Sequence, residues 1–287
     1  TRAMTSSSSC AVALMQEAIS AMATAEIPGV IISVMRSGPG LGNITPSQGD
    51  YFQSTKGGGN GDYHTIVLAP STIEEAVECT HRVFHLAWKY KNPAMLLADG
   101  ILGQMMEPVE FKHFDFGKTD SSDWELDGVG SGDKKRPPRK LVSLHMGGDD
   151  LIVLNRKLQN KYNKIEENEV LYEEFMMDDA EIMITAFGTV ARIAKSAIVQ
   201  LREKGIKIGM IRPITVWPFP KEVIGKYAKK VELILDVEMN EGQMALDVKA
   251  AVDNEVRFEI LSKPGGEFIK AGDIVKKIME LKSLCLN

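Results

Sequence analysis

The sequence predicts an α/β protein with two doubly wound parallel-sheet domains. Short apolar runs of strand length, such as residues 30–35 and 94–98, have the composition of strands buried on both faces. They alternate with longer segments of helical periodicity, which is typical of a parallel sheet covered by helices on both sides. The chain has 287 residues, and one domain is expected to have ~150, so we expect two domains.

The first predicted domain covers residues 1–106. Apolar residues at three- and four-residue spacing predict its first helix, and the serines at 6–9 are candidate N-caps for it. A capping box, either Ser71 with Glu74 or Thr72 with Glu75, begins the second helix. The predicted elements are a helix at 10–25, a strand at 30–35, a loop at 36–61, a strand at 65–69, a helix at 72–91 and a strand at 94–98.

Residues 107–177 are predicted to be a linker followed by a charged helix at 151–175. Gly, Ser, Asp and Lys dominate the linker, and its Pro137-Pro138 pair cannot lie inside a helix. The second domain, 178–287, repeats the alternation, and Gly205 suits a left-handed helix C-cap. Its strands are expected at 181–187, 206–212, 231–238 and 256–261, and its helices at 189–204, 220–229, 243–253 and 271–283.

The composition excludes several classes of protein. A net charge of -5 argues against a chain that grips nucleic acid, because phosphate binding needs clustered positive charge. No apolar stretch approaches the ~20 residues that span a bilayer, so we expect a soluble chain with no membrane partner. The cysteines are scattered and three in number (Cys10, Cys79 and Cys285). They predict free thiols and a cytoplasmic location, and they cannot hold an iron–sulfur cluster, which usually needs about four thiolates.

Other chemical motifs are weak. The glycines of 38–42 lack dinucleotide-binding spacing, residues 117–119 lack the first glycine of a P-loop, and no nucleophile elbow is present. His81 and His85 lie on one helical face near Glu78, which is possible metal-ligand spacing. We favour the alternative that they form the polar outer stripe of the helix, and we predict no metal site.

The loop at 36–61 is the candidate binding element. It follows a buried parallel strand, and ligands of open α/β sheets bind beyond the carboxyl ends of the strands. With 26 residues and eight glycines, it is too long to be a mere connector. Arg36 is the first residue past the strand, and its guanidinium can hold a carboxylate through two parallel hydrogen bonds. Alternatively, Arg36 pairs with Asp50 or a helix end and only shapes the loop. The residues that either contact a ligand or satisfy loop backbone groups are Asn43, Gln48, Asp50 and Tyr51.

Several segments together resemble one protein family. They are MTSSSS at 4–9, AEIP at 25–28, MRSGPGLGN at 35–43, PSQGDYFQ at 46–53, KGGG at 56–59, LADG at 97–100, EP at 107–108, FGT at 187–189, RPITVWPFP at 212–220 and EMNEGQ at 238–243. In these segments the chain is similar to the alpha subunit of 2-oxoacid:ferredoxin oxidoreductases, and it is closest to the 2-oxoisovalerate (branched-chain) type. The resemblance runs over essentially the whole chain. It implies a thiamine-diphosphate pyrimidine-side domain, followed by a transketolase C-terminal-like domain.

The resemblance implies an enzyme that oxidatively decarboxylates a 2-oxoacid. Thiamine diphosphate with Mg, shared with a beta-type partner subunit, would be its cofactor, coenzyme A the acyl acceptor and ferredoxin the electron acceptor. Iron–sulfur clusters would lie only on partner subunits, among them gamma-type and ferredoxin-like subunits. Arg36 is implied as the contact to the substrate carboxylate. The residues expected near cofactor or substrate are Thr5, Ser6, Gly38, Gly40, Asn43, Gln48 and Asp50.

The chain departs from the family pattern in two ways. Cys10-Ala11 stands where relatives usually have Pro-Gly, so the helix N-terminus there is expected to differ in shape. The family's upstream segment, with the glutamate that activates the thiamine pyrimidine, is expected to be missing, so no catalytic residue is assigned and this polypeptide alone should be inactive. Two alternatives stay open: a subunit of the transketolase or 2-oxoacid dehydrogenase E1-beta kind, and a non-catalytic assembly subunit.

Overall fold

The computed structural model describes residues 2–126, 139–253 and 255–283. In chain order, its first elements are β1 Met4–Ser7, α1 Ser9–Leu14, α2 Gln16–Thr24, β2 Gly29–Met35, α3 Tyr51–Thr55, β3 Ile66–Leu68, α4 Ile73–Tyr90, β4 Pro93–Asp99 and α5 Gly100–Gln104. The remaining elements are α6 Gly148–Asn168, β5 Tyr172–Phe175, β6 Ile182–Thr185, α7 Gly188–Glu203, β7 Ile208–Pro213, β8 Thr215–Trp217, α8 Lys221–Ala228, β9 Leu233–Glu238, α9 Gln243–Ala250, β10 Arg257–Ser262 and α10 Ala271–Ser283.

Two five-stranded sheets organise the chain, in the orders β1-β2-β4-β3-β8 and β10-β9-β6-β7-β5. Four strands of each sheet are parallel, and the fifth, β8 or β5, pairs antiparallel at an edge. The predicted α/β class with two parallel sheets is therefore confirmed, with an antiparallel edge strand added to each sheet.

The centre of the first sheet follows directly from the sequence. Every residue of β4 is buried, and β2 is buried or half-buried along its length, as expected for strands covered on both faces. The apolar face of α4, with Val83, Leu86 and Ala87, packs into the same core. Parallel register aligns Met35 with Asp99, so the carboxyl ends of β2 and β4 reach the same level.

One strand crosses between the predicted domains. β8 lies in the segment 178–287, yet it pairs with β3 of the first sheet, with Val67 opposite Trp217. The first sheet is thus completed by the second half of the chain. The domain limits at 106 and 178 otherwise stay a prediction.

The observed helices differ from the predicted ones at several places. The short helix α3 lies inside the predicted loop 36–61, α5 was not predicted, and α9 ends at Ala250 instead of at 253. The helix expected at 10–25 is two helices that break at Met15, and residues 4–7 before them form the edge strand β1. Ser8 is the N-cap of α1, but its side chain makes no capping hydrogen bond. The charged helix ends at Asn168, and the end of its expected range is the strand β5, because this segment pairs with β7.

Two predicted helix boundaries are confirmed in detail. Thr72 caps α4, since its Oγ1 accepts a hydrogen bond from Glu75 N at 3.1 Å, while the Glu75 carboxylate accepts from Ser71 N at 2.7 Å. Gly205 follows α7 with a φ of +78°, the left-handed conformation that glycine adopts without strain. The Pro137-Pro138 prediction lies outside the described residues.

The linker is largely irregular. Apart from a short turn, residues 106–126 and 139–146 form no regular secondary structure. Cys10 and Cys79 are free thiols, while Cys285 lies outside the described residues. No helix in the described segments combines the length and the apolar character needed to traverse a membrane.

Gln48 ties the glycine-rich loop to the second half of the chain. Its side chain is fully buried, Nε2 donates to Phe187 O at 2.8 Å, and Oε1 accepts from Met239 N at 3.1 Å. Its backbone N–H donates to Met239 O at 3.0 Å, and its carbonyl accepts from Asn240 Nδ2 at 2.9 Å. Both ends of this buried amide are satisfied, so the contact fixes where the loop lies.

We expect Gln48→Ala to lower the free energy of unfolding by about 1–3 kcal/mol, because it leaves the buried Met239 N group without a partner and removes the shorter of the two hydrogen bonds to Phe187 O. The urea midpoint, followed by far-UV circular dichroism, measures this loss. Gln200→Ala, at an exposed position of α7, is the matched control and should unfold like the unmodified protein. Equal midpoints for the two variants would contradict the anchoring role.

Candidate functional site

The carboxyl ends of β1, β2 and β4 meet at one edge of the first sheet and line a cavity of about 450 Å³. This volume lies in the ~300–1,000 Å³ range of small-molecule sites. The polar residues that line it are Ser6, Ser7, Ser8, Arg36 and Gln104, and its apolar residues are Val34, Met35 and Ile44. Gly100 and Gly103 of α5 complete the wall. The cavity therefore combines one cation, several hydrogen-bonding groups and an apolar side.

Arg36 is the only ionisable side chain among these lining residues. The residue is half-buried, and its main chain forms a bridge with Pro46 across the loop. Its Nη2 donates to Cys10 Sγ at 3.1 Å, and its buried Nε has no hydrogen-bond partner among the described residues. A buried donor without a partner at a cavity wall is suited to receive an anionic ligand.

The predicted alternative, an ion pair between Arg36 and Asp50, does not occur within the described chain. Ser9 lies between them instead, since its Oγ accepts from Arg36 N at 3.1 Å and donates to Asp50 Oδ2 at 2.5 Å. Burial raises the pKa of Asp50, and the hydrogen bond from Ser9 and the charge of Arg36 oppose that rise only in part. Asp50 thus supports the main chain of Arg36 through Ser9 and leaves the guanidinium available.

Cys10 explains part of the departure from the family pattern. Its thiol accepts from Arg36 Nη2 and lies 2.9 Å from Gly40 O, so it donates its own proton to the loop. A proline or glycine at this position offers neither contact. Cys10 therefore joins the start of α1 to the tip of the loop.

The loop tip needs glycine at one position above all. Gly42 has a φ of +54°, and a Cβ there would lie 1.7 Å from Ser37 O. Gly38 and Gly40 are exposed at the tip, where they would be accessible to a ligand. Asn43 shapes the loop, because its Oδ1 accepts from Thr45 N at 2.9 Å.

The structure brings together some of the predicted site residues and separates others. Arg36 and Ser6 line the cavity, while Thr5 and Ser6 belong to the exposed edge strand β1 and not to a loop. The side chain of Gln48 bonds to the backbone of Phe187 and Met239, outside the loop, and not to the loop backbone groups that were the alternative to ligand contact. Tyr51 is also fully buried, and its hydroxyl donates to Asp247 Oδ2 at 2.6 Å.

Sequence reasoning missed part of the wall. The sequence analysis predicts the buried strand 94–98 but does not predict Gly100, Gly103 or Gln104 as site residues. The rule that led to Arg36, a residue directly after a buried parallel strand, applies equally to the chain after Asp99 and would have found them.

His81 and His85 make aromatic contacts. Their rings lie 5.4 Å from Phe114 and 5.9 Å from Phe116. Within the described ranges, no group of three or more His, Cys, Asp or Glu side chains is arranged to hold a metal ion.

Two buried carboxyl groups brace the turn that holds Gln48. Glu238 accepts from the N–H groups of Met244 and Ala245, each at 2.9 Å, at the start of α9. Asp236 accepts from Thr185 Oγ1 at 2.5 Å, and burial, then the charge of Glu238, holds the pKa of Asp236 well above its usual range. These hydrogen bonds hold the chain on both sides of Met239 and Asn240, and they stabilise the position of these two residues.

We expect Asp50→Asn to change how stability depends on pH. Because the pKa of Asp50 is raised in the folded state, the folded chain binds more protons than the unfolded chain between the two pKa values. The free energy of unfolding of the unmodified protein should therefore fall relative to that of the variant as pH rises through this window. Urea midpoints measured from pH 4 to pH 7 test this, with the exposed Asp62→Asn as control. A constant difference between Asp50→Asn and the unmodified protein would contradict the expectation.

The chain matches two family models. The model of the pyruvate flavodoxin/ferredoxin oxidoreductase thiamine-diphosphate-binding domain matches residues 1–139, and that of core domain II of pyruvate:ferredoxin oxidoreductase matches residues 180–274. Together they cover both halves of the chain.

Curated relatives agree with these models. The chain is 44% identical to the ketoisovalerate oxidoreductase subunit VorB of Methanothermobacter marburgensis, over 98% of this chain and 78% of that protein. It is 32% identical to the 2-oxoglutarate synthase subunit KorA of the same organism, over 98% of this chain and 81% of that protein.

Solved structures show the same fold. A 2-oxoglutarate:ferredoxin oxidoreductase from Magnetococcus marinus, with 2-oxoglutarate, coenzyme A and succinyl-CoA bound, superimposes with a TM-score of 0.79 at 23% identity. The match covers 96% of this chain and 52% of that one, so this chain spans about half of its length. Transketolase from Campylobacter jejuni gives a TM-score of 0.52 at 10% identity over 96% of this chain and 35% of that one, a likeness of fold alone.

Proposed function

This chain belongs to the 2-oxoacid:ferredoxin oxidoreductase family, and we propose that it is the alpha subunit of an enzyme that converts a branched-chain 2-oxoacid to its acyl-CoA. One observation carries the substrate class, namely 44% identity with a ketoisovalerate oxidoreductase subunit over nearly the whole chain. Electrons pass to ferredoxin and coenzyme A accepts the acyl group. The cytoplasmic location belongs to the same proposal and rests on the free thiols of Cys10 and Cys79.

The cavity at the carboxyl edge fits a ligand with an anionic end. The buried Nε of Arg36 is a donor without a partner in the described chain, and the serines at the end of β1 offer hydroxyls beside it. Thiamine diphosphate, when bound, supplies the electron sink for decarboxylation. Ser7, Ser8 and Gln104 are the residues of this chain that would hold its pyrimidine side.

The other components of the enzyme follow from the family resemblance. A beta-type subunit shares thiamine diphosphate and Mg with this chain, and the iron–sulfur clusters lie on partner subunits. Gamma-type and ferredoxin-like subunits complete the complex. The relatives VorB and KorA are themselves named as subunits, which supports an enzyme that is active only as an assembly.

Arg36 binds and orients the substrate carboxylate. Its main chain is fixed by Ser9 and by the bridge to Pro46, and Cys10 holds Nη2, so binding of a carboxylate orders no main chain here. The carboxylate loses its charge as carbon dioxide leaves, so the guanidinium holds the substrate at least as strongly as the transition state. Arg36 therefore acts more on binding than on the chemical step.

The apolar side of the same cavity fits an aliphatic substrate. Val34, Met35 and Ile44 line it together with Arg36. A short branched chain can lie against these three side chains while its carboxylate faces the guanidinium. Discrimination between such chains is worth only ~1–3 kcal/mol per methylene, so it depends on the volume of the completed pocket.

We expect Arg36→Ala, in the reconstituted complex, to lower kcat/KM for the branched-chain 2-oxoacid, because a charged hydrogen-bond partner is removed. The loss corresponds to about 2–4 kcal/mol of transition-state stabilisation relative to the free enzyme and substrate. The larger share should appear as a raised KM. Arg36→Lys keeps the charge but loses the planar pair of donors, so it should recover only part of the loss. Viologen dye reduction, measured against 2-oxoacid concentration, gives both parameters.

Arg82→Ala, at a half-buried position of α4 that does not line the cavity, is the matched control and should leave both parameters unchanged. Unchanged kcat/KM in Arg36→Ala for every 2-oxoacid tried, with the complex intact, would instead show that this chain has an assembly role.

A further inference from the structure

A basic groove lies at the opposite edge of the first sheet, where β2 and β4 begin. It has a volume of about 530 Å³ and is formed by the turn after α2, the end of α4 and one face of α6. Its cations are Lys89, Lys91, Arg156, Lys157, Lys161 and Lys164. The chain as a whole carries a net charge of -5, so six cations in one concave surface are a local reversal of charge.

The α6 cations share one face of that helix. Arg156 and Lys157 are followed by Lys161 and then by Lys164, and positions three or four apart lie above one another on a helix. The end of α4 contributes Lys89 and Lys91 from the other side. The positive charge therefore converges from two chain segments, α6 and the end of α4, and is not the solvated stripe of a single helix.

Nearby carboxylates neutralise only part of this charge. Glu26 pairs with Lys157 and lies 3.6 Å from Lys161, Glu169 pairs with Lys89 at 2.5 Å, and Asp123 pairs with Lys91 at 2.8 Å. Three carboxylates against six cations leave a net charge of three positive. Arg156 and Lys164 are exposed and form no ion pair with any described residue.

Lys161 shows that the cations of the groove repel one another. Its side chain is only 11% exposed, and its Nζ donates to Lys91 O at 3.2 Å. Burial, together with the like charges of Lys157 and Lys91, lowers the pKa of Lys161 to about 8 against the attraction of Glu26. A second anion in the groove would offset this repulsion.

We propose that the basic groove binds a small anion that carries two or more phosphate groups, such as the diphosphate of a nucleotide or of coenzyme A. Lysine ammonium groups bind phosphate as point charges, and an arginine among them can hold two phosphate oxygens at once. The groove is concave and of small-ligand size. It lies at the amino ends of β2 and β4, whereas the cavity with Arg36 lies at their carboxyl ends, so the two sites are separate.

Isothermal titration of the full chain with inorganic pyrophosphate, ATP and coenzyme A tests the proposal. Pyrophosphate should bind the unmodified chain, and the double variant Arg156→Gln/Lys164→Gln should bind it about tenfold more weakly or worse, because two charged donors are lost. Glu26→Gln should bind it more tightly, since it releases Lys157 and Lys161. ATP or coenzyme A binding more tightly than pyrophosphate would identify the natural source of the phosphates.

The matched control is Lys204→Gln/Lys229→Gln, which removes two exposed lysines that do not line the groove and should bind pyrophosphate like the unmodified chain. No binding of pyrophosphate to the unmodified chain would overturn the proposal. Equal loss in both double variants would reduce the effect to net charge and overturn it as well. Loss of partner subunits from Arg156→Gln/Lys164→Gln, with pyrophosphate binding unchanged, would assign the groove to an acidic protein surface instead.

Discussion

The buried amide of Gln48 fixes the loop on which the candidate site depends. Its two ends are bonded to Phe187 and Met239, which lie on different turns of the second half of the chain. Releasing it would leave the buried Met239 N–H unpaired and Phe187 O with only its longer bond from Ala191 N at 3.4 Å, which is costly in a low-dielectric interior. The loop between Arg36 and Gln48 is thus held at one end by β2 and at the other by the second sheet, so Arg36 is positioned by both halves of the molecule.

Asp99 reinforces the same junction from the first sheet. Its Oδ1 accepts from the N–H groups of Ile101 and Leu102, which begins α5, and its Oδ2 accepts from Thr189 Oγ1 at 2.5 Å. A single buried carboxyl group therefore shapes the cavity wall and binds the start of α7. A Cβ added at Gly188, where φ is +57°, would lie 3.2 Å from Gln48 Nε2 and 3.4 Å from Asp99 Oδ2, so close packing at this point requires glycine.

Strands and site residues that depend on local composition could be predicted from the sequence. Those that depend on hydrogen bonds to distant chain segments could not. β2 and β4 are continuous apolar runs, and Arg36 could be placed because it directly follows one of them. β1, β5 and β8 have three or four residues each and form only because a neighbouring strand offers hydrogen bonds. The role of Gln48 was equally hidden, since its partners lie 139 and 191 residues away. A polar side chain that contacts a ligand and one that bonds to buried backbone groups look the same in a sequence. Only the fold could distinguish these two roles.

The placement of the basic groove limits how its ligand could influence catalysis. β2 and β4 run side by side from the groove to the cavity, seven residues each, which corresponds to about 20 Å at ~3.3 Å per residue. An anion bound beside Glu26 therefore cannot touch a substrate held by Arg36. Both strands lie in a close-packed core, so each of them would move as a unit and would not deform locally. Coupling between the sites would require that occupancy of the groove displace β2 along its length, carrying Arg36 with it. Without such a displacement, the two binding equilibria are independent.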